Sequence, residues 1–269
     1  MRMSGRTVEV YDLEGNLKGK VELPKIFETP YRPDIIRKAV VALQTHRLQP
    51  KGRDPMAGKR TTAESFGVGR DLARVPRVKG ERHPKAGSAA FAPSTVGGRL
   101  AHPPRVEKKI WKRLNKKEAR LALASAVAAT GMKEIVESRG HIVESIPSIP
   151  LIVDDSIQQV SETKEAREIL RRLGLWSDVE RVLGKIKRRS GRACSRGRGL
   201  RIPKGPLIVY SEDRGVVKAF RNIPGIDLEK ATDLNVEDLA PGTHPGRLTV
   251  YTESALKMLS EKFKGCELP

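Results

Sequence analysis

The chain has 269 residues, 38% hydrophobic and only 4% aromatic, and its 52 Lys and Arg against 32 Asp and Glu give a formal net charge of +20. No run of about 18 apolar residues is present, which excludes a membrane-spanning helix of ordinary composition, and the short polar start Met1–Gly5 gives no reason to expect a secretory signal. Two cysteines, Cys194 and Cys266, are too few for a disulfide framework or a four-ligand zinc site, so the expectation is a soluble, intracellular protein that meets a polyanion.

In chain order, Thr7–Tyr11 alternates polar and apolar residues, Glu14-Gly15-Asn16 signals a turn, and Gly19–Leu23 alternates again, which predicts a β-hairpin. Pro33 suits the first turn of a helix whose Ile36, Val40 and Leu43 keep helical spacing and which ends near His46. Residues 47–105 then break every period: they hold 8 Gly and 7 Pro but only 10 large apolar side chains. Ordering a backbone costs roughly 1–2 kcal/mol per residue, and this segment cannot bury enough apolar surface to offset that alone. So long a structureless stretch is functional or disordered, and a partner would have to order it.

Structure resumes with a basic helical turn around Trp111. Asn115 followed by Glu118 reads as a capping box, and the small apolar run Ala119–Ala129, closed by Thr130-Gly131, reads as a buried helix. The second half alternates. Strand Ser148–Val153 ends at Asp154-Asp155, and helices follow at Ser161–Leu173, with Ser161 as cap, and at Leu175–Lys187. Strand Pro206–Tyr210, a helix at Gly215–Phe220, a short strand near Ile226, a helical turn at Val236–Ala240, strand Arg247–Tyr251 and helix Glu253–Phe263 complete the chain. Continuous apolar strands separated by helices indicate an α/β fold, a mainly parallel sheet covered by helices on both faces, with 148–153, 206–210 and 247–251 side by side.

The charge is segregated. Arg47–Arg120 carries 20 Lys and Arg against 6 acids, and Arg181–Lys204 carries 10 with no acid, which leaves the rest of the chain at −4. A mildly acidic body with two strongly basic segments points to nucleic acid. A membrane surface fits less well, because neither segment joins its charge to a broad apolar helical face. Lys185–Lys204 interleaves arginine with glycine and has no aromatic residue. Arginine forks onto phosphate and glycine lets the backbone approach, so this segment suits the shape of a folded RNA rather than base stacking.

An α/β sheet also invites an enzymatic reading. Gly67-Val68-Gly69 lacks the third glycine and the preceding strand of a dinucleotide loop, no Walker lysine follows a glycine loop, and Ala193–Gly197 is not a nucleophile elbow. His46, His83, His102, His141 and His244 form no i, i+4 pair. The best catalytic candidate is Asp154-Asp155 at the carboxyl end of a strand, where two acids could hold Mg²⁺ or a ribose and could equally start the next helix or pair with the basic segments. Cys194 lies among Arg192, Arg196 and Arg198, where a phosphate is its expected neighbour. No catalytic, cofactor or metal residue is assigned.

Three strings, GKRTTAESFGVGRDLARVPRVKG (Gly58–Gly80), GGRLAHPPRVEKKIWKRLNKKEARLALASAVAAT (Gly97–Thr130) and NVEDLAPGTHPGRLTVYTESAL (Asn235–Leu256), resemble the universal large-subunit ribosomal protein four, the L-four family, in its archaeal and eukaryotic form. The likeness runs nearly end to end. It implies a globular α/β body, here 1–46 with 106–269, and an extended internal loop, 47–105, that threads into rRNA and helps form the wall of the peptide exit tunnel. The chain stops without the long basic tail of eukaryotic members, which points to an archaeal source, and its Arg, Lys and Glu usage suits a thermophile.

The rRNA-binding residues implied for the loop are Arg47, Lys51, Arg53, Lys59, Arg60, Arg70, Arg74, Arg77, Lys79, Arg82, His83, Lys85, Arg99, His102 and Arg105, followed by Lys108, Lys109, Lys112 and Arg113. Those of the second segment are Lys187, Arg188, Arg189, Arg192, Arg196, Arg198, Arg201 and Lys204. The tunnel tip falls on Gly69, Arg70, Arg74, Val75 and Arg77. Expected partners are large-subunit rRNA, neighbouring large-subunit ribosomal proteins and the nascent peptide near the tip, with no membrane and no small-molecule substrate. No cofactor is expected, Mg²⁺ entering only as an rRNA counterion. The alternatives are an RNA-modifying α/β enzyme with a basic clamp, which would need a cofactor loop after the first parallel strand, and a free RNA chaperone, which would need a large soluble pool.

Overall fold

The structure, a computed structural model, describes residues 7–264; Met1–Gly5 and Cys266 lie outside the described residues. Residues 7–44 with 113–264 form one compact unit, and Thr45–Lys112 form a second.

In the first unit, β1 (Thr7–Tyr11) and β2 (Leu17–Glu22) make the expected hairpin, Thr7 opposite Glu22 and Val8 opposite Val21. Gly15 at φ +85° supplies the left-handed backbone of its turn, which the Asp12 N–H closes by donating to the Asn16 carbonyl at 2.9 Å. Helix α1 (Pro33–Thr45) follows, with Ile36, Ala39 and Val40 buried on one stripe. The second unit contains two short strands, β3 (Ala63–Glu64) and β4 (Arg77–Val78).

The chain then forms α2 (Lys116–Thr130), α3 (Lys133–Ser138), β5 (Leu151–Val153), α4 (Thr163–Arg172) and α5 (Trp176–Gly184). Next come β6 (Lys187–Arg188), the one-turn α6 (Arg192–Ser195), β7 (Leu200–Arg201) and β8 (Leu207–Tyr210). The last elements are α7 (Val216–Phe220), β9 (Asp227–Lys230), α8 (Val236–Leu239), β10 (Thr249–Thr252) and α9 (Glu253–Phe263).

The main sheet has the order β2-β1-β5-β10-β8-β9, antiparallel only between β2 and β1. Val250 sits opposite Leu151 on one side and Ile208 on the other, so the three strands read from apolar runs are neighbours and parallel. Side chains alternate between faces. Ile152, Leu207, Val209 and Tyr251 pack with α1, α2, α8 and α9, while Leu151, Val153, Ile208 and Val250 pack with α4, α5 and α7. Both faces are dry, which is why these strands lack a polar period.

Several boundaries differ from the sequence reading. The strand expected from Ser148 begins at Leu151, because Pro150 has no N–H to give the ladder. Helix α5 ends at Gly184 rather than Lys187, glycine being a poor interior helix residue. Trp111 lies outside any helix. Asn115 does occupy the N-cap of α2 but makes no side-chain cap bond, and Glu118 instead accepts from Lys38 on α1 at 2.8 Å. Glu162, not Ser161, stands at the N-cap of α4.

Candidate nucleic-acid interface

Thr45–Lys112 is tied at its own base, where the Lys112 N–H donates to Thr45 Oγ1 at 3.1 Å and His46 Nε2 lies 3.3 Å from the Lys112 carbonyl. Further along, Ala63 pairs with Val78 and Glu64 with Arg77. The third limb adds to this ladder: the Val78 N–H donates to the Ser88 carbonyl at 3.0 Å and the Ala90 N–H to the Pro76 carbonyl at 2.8 Å. The segment expected to be without structure therefore has a small three-limbed ladder, which buries Val78. Its strands are two residues long, too short to show a period in sequence.

Between β3 and β4 the chain reverses through Gly67 and Gly69 at φ +79° and +83°, and Ser65 Oγ donates to the Arg74 carbonyl at 3.2 Å. Arg70 stacks 5.7 Å over the Phe66 ring within this turn. Gly69, Arg70 and Arg74 are exposed and Val75 and Arg77 half-buried. Arg77 is a strut, its Nη1 donating to the Gly87 carbonyl at 2.9 Å, and half-buried Arg99 lies 5.7 Å over Phe91.

Arg47, Lys51, Arg53, Lys59, Arg60, Lys79, Arg82, His83, Lys85, His102, Arg105, Lys108, Lys109, Lys112 and, in the first unit, Arg113 are all exposed. Some carry internal partners: Arg60 pairs with Asp54 and lowers its carboxyl pKa, Lys79 pairs with Glu64, and His83 Nδ1 accepts from the Lys85 N–H at 3.1 Å.

The second basic segment is an arm. Antiparallel β6 and β7 set Lys187 opposite Arg201 and Arg188 opposite Leu200, and the Arg189 N–H donates to the Gly199 carbonyl at 2.7 Å. Lys187, Arg188, Arg189, Arg192, Arg196, Arg198 and Arg201 are exposed, and none forms an ion pair among the described residues. Like charges grouped in water repel one another weakly, and an anion placed opposite them would be favoured.

The root of the arm is a buried polar lattice. Asp178 accepts from Arg181 Nε at 2.7 Å, from the Ile142 N–H at 3.0 Å and from His141 Nδ1 at 3.0 Å. Burial would raise the Asp178 pKa, but the bonds from His141 and Arg181 outweigh it and hold the group at about 2. Arg181 also donates to the Lys204 carbonyl at 3.1 Å, and Lys204 Nζ meets Asp227 at 2.6 Å. Lys204 is thus an anchor of the arm with its charge already partnered.

The carboxyl end of the sheet is closed by its own side chains. Asp154 pairs with Lys18 at 2.8 Å, and Asp155 Oδ1 accepts from Ser254 Oγ at 2.6 Å, the Ser254 N–H at 3.1 Å and Gln158 Nε2 at 2.9 Å. Gln158 Oε1 in turn accepts from Ser211 Oγ and the Glu212 N–H. Asp154 therefore ties the end of β5 to β2, while Asp155, through Ser254 and Gln158, ties it to the ends of β10 and β8. Among the described residues no three His, Cys, Asp or Glu are grouped to hold a metal, and no helix is long and apolar enough to cross a membrane.

The exposed cationic arms are what this architecture offers to a partner. A model of the family described as "Ribosomal protein L4/L1 family" matches residues 21–262. The chain belongs to that family. It is similar to the large ribosomal subunit protein uL4 of Methanosphaera stadtmanae, 51% identical over 96% of this chain and 97% of the relative. The uL4 proteins of Sulfurisphaera tokodaii, 51% identical over 97% and 96%, and Methanopyrus kandleri, 49% identical over 94% and 97%, are comparably similar. A member of the L4/L1 family is a structural protein, so the enzymatic alternative is set aside. What sequence reasoning missed is the lattice of His141, Asp178, Arg181, Asp227 and Arg247: Asp178 and Arg181 stand one helical turn apart, but His141 lies 37 residues before Asp178 and Asp227 20 before Arg247, spacings that carry no local signal.

Proposed function

We propose that this chain is a structural constituent of the large ribosomal subunit, and so cytoplasmic, holding rRNA through its two basic surfaces and supporting rRNA folding during assembly. The observation that carries this reading is the division of charge: +14 on Arg47–Arg120 and +10 on Arg181–Lys204, against a net −4 elsewhere. Exposed guanidinium groups fork onto phosphate oxygens and release counterions, which supplies affinity without base contacts. On this reading 1–46 with 106–269 is the body, 47–105 is the loop inserted into rRNA, and the basic arm is a second phosphate contact. The reversal at Gly67–Arg74 is where the loop meets the tunnel wall and the nascent peptide, with neighbouring ribosomal proteins against the body.

Sedimentation of cell extracts tests it. The chain should stay in the large-subunit peak through a high-salt wash. Release into the soluble pool by that wash would favour an RNA-modifying factor or a chaperone and reject the structural role.

A further inference from the structure

Within the second unit, the outgoing limb from Thr45 to Lys59 and the returning limb from His102 to Lys112 enclose a groove of about 1510 Å³. The limbs meet where Gly52 abuts Val106: a Cβ on Gly52 would stand 2.6 Å from Val106 Cγ2, so a larger residue there would have to displace the Val106 side chain. The lining has two chemistries. Leu48, Pro55, Val106 and Ile110 contribute apolar surface, with Leu48 49% and Val106 60% exposed. Seven Lys and Arg also line it, against a single acid, Glu107.

Apolar side chains left open in this way mark a contact surface. A purely apolar partner has no use for seven cations. An RNA duplex would engage the cations through its phosphates, but its bases are stacked inside and would leave Leu48, Val106 and Ile110 facing water. An unpaired nucleotide joins both properties, a flat base with little charge on an anionic backbone. The planar side chains of Arg53, His102 and Arg105 on the same lining are of the kind that stack on splayed-out bases.

We propose that this groove takes unpaired ribonucleotides, their bases inserted against Leu48, Val106 and Ile110 and their phosphates on the Lys and Arg of the rim. The proposal rests on the reading of the chain as an rRNA-binding protein and names the RNA element that one of its surfaces selects.

The test uses the full chain and a 4-thiouridine-labelled single-stranded octaribonucleotide, with the same strand in a duplex as comparison and binding to a large-subunit rRNA fragment as a parallel measurement. The single strand should bind more tightly than the duplex and should cross-link to the limbs Thr45–Lys59 or His102–Lys112. The variant Val106→Lys replaces an apolar contact with a cation at an exposed position, so it should leave folding intact and weaken single-strand binding by about 5- to 10-fold, the range expected for losing one apolar contact. Unchanged or tighter binding by Val106→Lys, equal duplex binding, or cross-links outside the limbs would each overturn the proposal, as would displacement of the oligonucleotide by an acidic peptide of equal charge. Binding of the rRNA fragment separates the two readings: its retention with a failed groove result overturns the groove alone, whereas its absence overturns the ribosomal reading beneath it.

Discussion

Arg247 Nη2 meets Asp227 Oδ2 at 2.6 Å, and the arginine is 1% exposed. The same guanidinium group donates from Nε to the Gly205 carbonyl at 2.8 Å and from Nη1 to the Asp238 carbonyl at 3.0 Å. Through Lys204, which shares Asp227, this lattice reaches the root of the basic arm. A charge taken out of water is tolerable only while its partners remain, and removing one partner of such a pair costs about 3–5 kcal/mol. Asp227 is 35% exposed and keeps Lys204, so Arg247→Met should lower the unfolding free energy by less, about 1–3 kcal/mol in urea titration, as the Gly205 and Asp238 carbonyls lose their donor. Arg247→Lys should be intermediate because it keeps the charge and loses the fork. A Met variant as stable as the parent would show that the lattice adds nothing to the body.

The His141–Asp178 pair gives the body a pH dependence with a defined direction. Burial lowers the His141 pKa, so the ring is neutral and donates Nδ1–H to Asp178, whose own pKa lies at about 2. For both groups the unfolded chain binds the extra proton, so stability is present above the unfolded pKa and is lost as pH falls. The His141 contribution should begin to fail below about pH 6.5, and the Asp178 contribution, worth about 2–3 kcal/mol, between roughly pH 4 and 2. His141→Asn can still donate to Asp178 but cannot titrate. Urea midpoints should fall from pH 7 to 5 in the parent and stay level in that variant; parallel declines would place the titrating group elsewhere.

Where burial is uniform the sequence was readable. The apolar runs of β5, β8 and β10, the all-round small face of α2 and the stripe of α1 each fix an element by its solvent exposure alone. The basic arm and the ladder of the second unit were not readable as strands, because two-residue strands carry no period and owe their pairing to backbone bonds such as Arg189 N–H to Gly199. Asn115 and Glu118 matched a capping pattern, yet Glu118 is drawn to Lys38, eighty residues away in sequence, a long-range contact that local spacing does not encode. Charge segregation was legible in full, but which cations face outward was not: Arg77, Arg99 and Lys204 have internal tasks that sequence alone did not separate from those of Arg74 or Arg196.

Limited trypsin digestion of the free protein should follow these internal tasks. Arg70 and Arg74 lie in the exposed reversal and should be cut first, while Arg77 and Arg99, engaged with Gly87 and Phe91, should be cut later. The body should outlast both. In ribosomes the same bonds should be protected. Simultaneous cutting at all four arginines in the free protein would mean that the ladder between β3 and β4 does not persist without RNA.

Salt dependence should report on the basic arm. Each phosphate contact contributes about 0.9 to the slope of log affinity against log salt. Replacing Arg188, Arg189, Arg192, Arg196 and Arg198 by Ala removes five exposed cations, none of which forms an ion pair among the described residues. The slope for a large-subunit rRNA fragment should then flatten by up to about four. An unchanged slope would mean that the arm faces water in the complex.

The last prediction concerns the reversal itself. Excising Gly67–Arg74 and joining the limbs by a short turn leaves Ala63–Glu64 free to pair with Arg77–Val78, so the ladder and the limbs below it survive. Most of the exposed Lys and Arg of the second unit lie on those limbs rather than in the reversal, so the variant should assemble into large subunits. If the reversal lines the tunnel as proposed, the same ribosomes should have a wider passage and altered responses to stalling peptides. Deleting 47–105 removes limbs and reversal together and should impair assembly before any tunnel effect can be read. Subunit profiles and stalling assays on the two deletions separate the roles: normal assembly with every stalling response unchanged in the short deletion would make the loop an rRNA staple and remove the tunnel from its function.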